Sequence, residues 1–421
     1  MIGMIRGLII AWLLTLGLKA ESLVLDSVLS DKDLSKVTAE QFIQKYPQYI
    51  LNSSQKDSAR IDGKKIPTQF LQLPLVESVM RFASGQNELT LLLYANGDSG
   101  EIGREKFEAL VEKVRLSLIK EFKQPSTIAG TSSIIRAKGL AWKVPAGIAR
   151  LEWSSTRANP AKGQEYRSEF VRVVVVGDAQ KSATKDAKAW QAIDQVRTNP
   201  EGDKWIGTVP MVDQGEKGYC AVAVSERIIR YYGKDADLNE IAQAMQTGNK
   251  TGTSSLEFTN QMQRIASRFA LRFQVIQSAS DSGFIGDIVR DYIKAAKKKG
   301  GASSAPELST NNFYVTLPKM DMDLLREVRI TDKKGIARFE KIVVASVDRG
   351  EPLIWGVEMG ISPEEGNPQA RGGHLRLIIG YNTEKKEILY TDSWGPNHEL
   401  KRMSTENAWS KTFHLYSMKP L

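Results

Sequence analysis

The sequence predicts an α+β protein of two units. An N-terminal α+β domain is followed by a domain in which a helix carrying a cysteine packs on an antiparallel sheet carrying a histidine and an aspartate. Three observations predict this. After Cys220, the stretch AVAVSERIIRYYG repeats Ala221, Val224, Ile228 and Tyr231 at helical spacing, with Gly233 as a stop. LRLIIGY and EILYTD, joined by the turn NTEKKE, read as an antiparallel hairpin with His374 at one end and Asp392 at the other. In the first half, several strand-like segments flank one long amphipathic helix, and a polar, Ala-rich stretch divides the halves.

Residues 1–20 place one Arg ahead of an apolar run from Leu8 to Leu18 that ends at the small Ala20. The run is too short to span a bilayer comfortably, so a signal peptide cleaved after Ala20 is expected, with a retained anchor as the alternative. No cysteine follows the run, which excludes lipid attachment of the lipoprotein type. The protein is therefore expected to be exported, periplasmic or secreted, with no stable membrane span after cleavage.

The N-terminal domain is expected over 21–178. ELTLLLY at Glu88–Tyr94 is a strand ended by the turn residues NGDSG. A helix is expected from about Glu101 to Lys123, with Phe107, Leu110, Val111, Val114 and Leu118 on one face and Asp98 forming a capping box with Glu101. The strands SSIIRAK, GLAWKV, IARLEWS and YRSEFVRVVVV follow, and Arg150/Glu152 alternating with Leu151/Trp153 predicts a sheet with one wet face. GDSG at Gly97–Gly100 reads as a turn and helix start; as a serine-protease motif it would need a histidine upstream, and the first is His374. Residues 179–203 read as a linker with a short helix, and 204–421 as the second domain.

Composition narrows the function. The formal net charge of +9 is spread over lysines and arginines mixed with acids, which predicts a mildly basic surface and no nucleic-acid partner. One cysteine cannot make an internal disulfide; in an exported chain it points to intermolecular pairing or a reactive thiol. With one cysteine and three histidines, no metal and no cofactor are expected.

Cys220 sits at a helix start, where the positive end of the helix dipole favours thiolate over thiol. The preceding loop QGEKGY holds Gly215 and Gly218, which let backbone approach a ligand closely. The hairpin centre near residues 383–385 places His374 opposite Asp392 or within about two residues of it. An imidazole–carboxylate hydrogen bond is then available to fix the tautomer and orientation of His374.

The segment VPMVDQGEKGYC resembles the active-site segment of papain-like cysteine peptidases, HLRLIIGY resembles their histidine strand, and DSWG at Asp392–Gly395 resembles their Asn-Ser-Trp-Gly. The resemblance covers about the last half of the chain. It is greatest to the bacterial peptidases that process double-glycine bacteriocin leaders. It implies a papain-like fold, a protein or peptide substrate, and peptide or isopeptide hydrolysis by Cys220, His374 and Asp392. It further implies Gln214 in the oxyanion hole, Trp394 shielding the His–Asp bond, and Gly218 and Gly373 as supporting positions. Asp392 replaces the usual Asn, Tyr219 the usual Ser and Ala221 the usual Trp, and substrate preference is expected to depart at the latter two. The same three residues would also serve a transglutaminase or amidase, and a non-catalytic papain-fold binding protein is the other alternative. The N-terminal domain is expected to bind substrate or a surface.

Overall fold

The computed structural model describes residues 22–82, 86–129, 134–177, 191–247, 253–300, 308 and 313–421. The expected signal peptide at 1–20 and residues 179–190 of the expected linker lie outside the described residues. Among the described residues no helix is long and apolar enough to cross a membrane.

The N-terminal half is an antiparallel sheet in the order Ile50–Leu51, Ser58–Asp62, Glu77–Arg81, Glu88–Ala95, Arg167–Val176, Gly147–Thr156, Lys138–Val144, Ser126–Ala129. One face is covered by the helix Arg104–Phe122, whose Phe107, Val111, Val114 and Leu118 pack on Leu89, Leu91, Val171, Val173 and Val175. The helix starts later than the sequence suggests, with Gly103 as N-cap and no side-chain cap. Asp98 is drawn away to the second half of the chain, and the Glu101 carboxylate accepts from Gly103 N–H and from Ser168 instead. The outer strand is Ser126–Ala129; Ile134–Ala137 of SSIIRAK are not in a strand.

The face expected to be wet is in large part covered. Glu152 is 1% exposed and Arg172 4%. Both lie under the second half of the chain, which is why Arg167–Val176 is buried along both faces.

The second half is built on an antiparallel sheet in the order Val196–Thr198, Lys204–Ile206, Gly372–Asn382, Leu353–Met359, Thr412–Pro420, Leu271–Gln277. Glu387–Thr391 pairs with Gly372–Asn382 and with Lys401–Ser404. The stretch read as linker thus contributes the edge strand Val196–Thr198. The helix Cys220–Tyr231 runs through the core, with Ala221–Ile229 buried all round. Gly233, at φ 71°, ends it through its N–H to the Arg230 carbonyl, as its position suggests.

The two halves are joined by ions. Arg81 donates to Glu226 at 2.6 Å, and Arg172 meets Glu152 at 2.7 Å, Asp237 at 2.6 Å and Glu240 at 2.7 Å. The N-terminal sheet supplies the arginines and the second half most of the acids. Removing one member of a buried ion cluster leaves uncompensated charge, which typically costs about 3–5 kcal/mol. Arg172→Ala is therefore expected to lower the urea midpoint by a stability loss of about that size; a midpoint equal to wild type would contradict the role given to this cluster.

Candidate active site

Cys220 is the first residue of its helix, and the loop ahead of it is tied to the hairpin. Gln214 N–H donates to the Ser393 carbonyl at 2.8 Å, and Ser393 Oγ donates to the Gln214 side-chain oxygen at 2.6 Å. The Gln214 Nε2 group donates to the Lys217 carbonyl at 3.3 Å. With its oxygen fixed by Ser393, the amide can present only N–H groups elsewhere. Gly395, at φ 73°, lets the Ser393–Trp394 turn close on Asp213, whose carboxylate would lie 3.0 Å from a Cβ there.

His374 Nε2 and Asp392 Oδ1 are 2.6 Å apart, and both side chains are buried. The ladder explains how they meet. Its last registered pair is Leu377↔Thr391, after a shift between Ile378 and Gly380, so Asp392 comes opposite Arg376 and diagonal to His374. His374 and Arg376 share one strand face at i and i+2, and Asp392 lies between them. Its Oδ2 is 3.1 Å from Arg376 Nε. Trp394 stacks on His374 with ring centroids 4.4 Å apart and planes 3° from parallel, covering the His–Asp bond on that side.

Nε2 being taken by Asp392, Nδ1 is the His374 nitrogen left to face Cys220. Cys220, His374, Gly373 and Ala221 line one cavity of about 130 Å³. Burial pushes the Cys220 thiol up, but the hydrogen bond and charge of His374, with the backbone N–H groups of Leu375 and Ala221, outweigh it and bring the thiol below its ordinary value. Burial lowers His374, yet Asp392 and Cys220 raise it to about 9. Burial alone would raise Asp392, but His374, Arg376 and the Ser393 N–H hold it well below the carboxylate range. The arrangement favours a thiolate beside an imidazolium.

Two arginines that sequence reasoning missed hold this geometry. Arg376, fully buried, bridges Asp392 to Glu364, donating to Glu364 at 2.8 Å. Arg227, two helical turns after Cys220, donates to the carbonyls of Pro210 and Asp392, each at 2.7 Å, and to Thr391 Oγ1 at 2.5 Å. It pins the Cys220 helix to the end of the hairpin. The i, i+2 pairing of His374 with Arg376 was a visible signal; the partners of Arg227 were not.

Tyr219 does not face the cavity, as its divergence from the usual Ser suggested. Its hydroxyl packs on Gly97 of the N-terminal half, where a Cβ would come within 1.8 Å. Lys217 lies over the Tyr219 ring and donates to Asp98 at 2.5 Å, while Arg60 donates to Asp213 at 3.1 Å. The GDSG turn is thus a docking surface for the loop that carries Gln214 and Cys220. Gly218 lies in that loop, and Gly373 borders the cavity with open space where a Cβ would stand. Among the described residues no group of three or more His, Cys, Asp or Glu is placed to hold a metal ion.

Residues 206–416 match the model of the Peptidase_C39-like family. Solved structures with a similar chain path include the peptidase domain of Streptococcus ComA, a bi-functional ABC transporter of a quorum-sensing pathway, at 12% identity and TM-score 0.26, covering 51% of this chain and 100% of that one. A double-glycine motif protease from an AMS/PCAT transporter, solved with a leader peptide, has 13% identity and TM-score 0.25 and covers 51% and 93%. Xylellain, a cysteine protease from Xylella fastidiosa, has 13% identity and TM-score 0.22 and covers 57% and 94%. No curated protein matches the chain.

The causes of the Cys220 shift make a signed expectation. In wild type the iodoacetamide rate should rise with pH at values below the ordinary thiol pKa of about 8.5. In His374→Ala burial is opposed only by backbone N–H groups, so the rise should move to higher pH. Superimposable profiles for the two proteins would refute the Cys–His coupling.

Proposed function

The chain belongs to the Peptidase_C39-like family and is a papain-like cysteine-type peptidase, and from that premise we propose that it is exported and cleaves peptide or isopeptide bonds through Cys220, His374 and Asp392, with Gln214 in the oxyanion hole. The observation that carries the proposal is the 2.6 Å His374–Asp392 contact, which leaves Nδ1 for the one cysteine of the chain, in the same cavity. Export rests on the N-terminal sequence alone.

In this reading the Cys220 thiolate attacks the substrate carbonyl carbon, and a C–S bond forms as the carbonyl electrons move to oxygen. The free N–H of the Gln214 amide and the Cys220 backbone N–H stabilise that oxyanion. The imidazolium of His374 gives its Nδ1 proton to the leaving amine as the C–N bond breaks. Water, deprotonated by His374, then displaces the thiol from the thioester. Asp392 keeps Nε2 protonated throughout and offsets the charge on the ring.

The N-terminal half enters this mechanism through the loop. Lys217 holds Gln214 with its carbonyl and Asp98 with its ammonium, so the oxyanion donor is referenced to the N-terminal sheet. We assign Asp98 and Lys217 as positioning residues.

Hydrolysis of a fluorogenic peptide library by the purified protein tests the proposal. Cys220→Ala and His374→Ala should abolish turnover, and Gln214→Ala should lower kcat by roughly 10²–10³. Turnover surviving in Cys220→Ala would defeat the assignment. Asp98→Lys or Lys217→Asp alone should lower kcat more than it raises KM, with the rate of Cys220 alkylation kept. The Asp98→Lys/Lys217→Asp double variant should recover much of the loss, and a double variant worse than either single would count against the positioning role.

A further inference from the structure

The cavity that holds Cys220 contains a carboxylate with no countercharge. Glu358 is 9% exposed. It lies on the strand Leu353–Met359, directly opposite Gly373, one residue from His374. Opposed side chains share a sheet face, and Gly373 offers none, so open space borders the Glu358 carboxylate. Glu358 makes no ion pair among the described residues; the Gly372 backbone N–H is its hydrogen-bond donor. Arg371 lines an adjoining cavity with it but makes no ion pair with it. Burial without a cation raises its pKa to about 7.

Buried carboxylates are ordinarily paired, since an isolated one is costly to keep out of water. Among the described residues the other buried acids follow that rule, and Glu152, Glu226, Glu240 and Glu364 each meet an arginine. Glu358 is the exception, and it lies where a substrate side chain would enter. The remaining wall suits an aliphatic stem, with Phe258, Val357, Leu375 and Tyr416 lining the space. At about 30 Å³ per water molecule, the cavity of about 130 Å³ has room for one long side chain. His414, also in the wall, brings no competing charge: burial lowers it to about 4, and it accepts from Ala279 N–H through Nδ1.

We propose that Glu358 is a specificity determinant, and that the cavity beside Cys220 takes a lysine or arginine side chain flanking the scissile bond, its stem on the apolar wall and its cation on the Glu358 carboxylate. This deepens the peptidase reading and rests on it. The expected substrate class is a protein or peptide with a basic residue next to the cleaved bond.

Two measurements test it. In a fluorogenic library, wild type should prefer Arg or Lys over norleucine at one flanking position by at least about ten-fold in kcat/KM, equivalent to about 1.4 kcal/mol. Glu358→Gln should bring that ratio toward one, and Glu358→Arg should turn the preference to Asp or Glu. The second readout needs no turnover. Nα-acetyl-arginine amide should slow iodoacetamide alkylation of Cys220 more than acetyl-norleucine amide does, and Glu358→Gln should erase the difference. Cleavage with no basic preference at any position, or a preference and protection unchanged in Glu358→Gln, would overturn the proposal. Absence of any cleavage, with differential protection present, would instead fault the peptidase mechanism and leave the recognition of a basic side chain supported.

Discussion

A fully buried carboxylate, Asp392, is the constraint around which the second half of the chain is arranged. Taken out of water alone, such a group would protonate; here three partners keep it charged. His374 and Arg376 come from one strand face, and the Ser393 N–H from the turn that follows. Arg227 adds a fourth tie, to the Asp392 carbonyl, and reaches it from the helix that starts at Cys220. The carboxylate therefore brings the helix, the hairpin and the Trp394 turn to one point. A neutral Asn would not require Arg376, and the pairing of Asp with a buried arginine accounts for this chain's departure from the usual residue. That pairing in turn demands Glu364, because Arg376 is itself buried and has a second side to satisfy.

The same logic of paired burial joins the two halves. The formal charge of +9 suggests a basic surface, but several of the arginines are largely withdrawn from solvent. Arg60, Arg81 and Arg172 lie between the halves and are matched by Glu77, Asp213, Glu226, Asp237 and Glu240. A contact made of buried ions is directional, and it holds one relative placement better than an apolar contact of similar size would. Lys217 and Asp98 reverse the polarity of the set, with the cation on the loop and the acid on the N-terminal turn. Lys217 lies three residues before Cys220, so through this pair the N-terminal half reaches the loop that carries the site. A binding module loosely tethered to a peptidase would not need it.

What the sequence made legible was what local period and spacing encode. The Cys220 helix, its Gly233 stop and the hairpin with His374 near Asp392 all follow from patterns a few residues long. The hairpin register was readable only to within two residues, because the shift between Ile378 and Gly380 leaves no mark in an apolar run. The wet face of the N-terminal sheet was misread for a related reason. Arg150, Glu152 and Arg172 alternate with apolar residues as solvent-facing residues do, and alternation does not say whether charges meet water or each other. Asp392 for Arg227, Asp98 for Lys217 and Gly97 for Tyr219 stand more than a hundred residues away in the chain and no spacing rule reaches them. Asp98 is the clearest case: a local capping signal lost to a distant buried lysine, since leaving that ammonium unpaired would cost more than an uncapped helix end.

In the proposed resting state the Cys220 thiolate faces the His374 imidazolium, Asp392 faces Arg376, and Glu364 faces Lys411, which it also bonds. Three anions and three cations alternate through the buried region, from the Cys220 thiolate at one end to Lys411 at the other. Each group's ionisation therefore depends on its neighbours'. Glu358 stands outside that alternation, an acid at the end of the cavity with no cation following it. A basic substrate side chain would supply the missing member and extend the alternating order from the protein into its ligand. Binding would then be favoured by the same electrostatic rule that keeps Asp392 ionised, with discrimination set by whether the incoming side chain carries the charge.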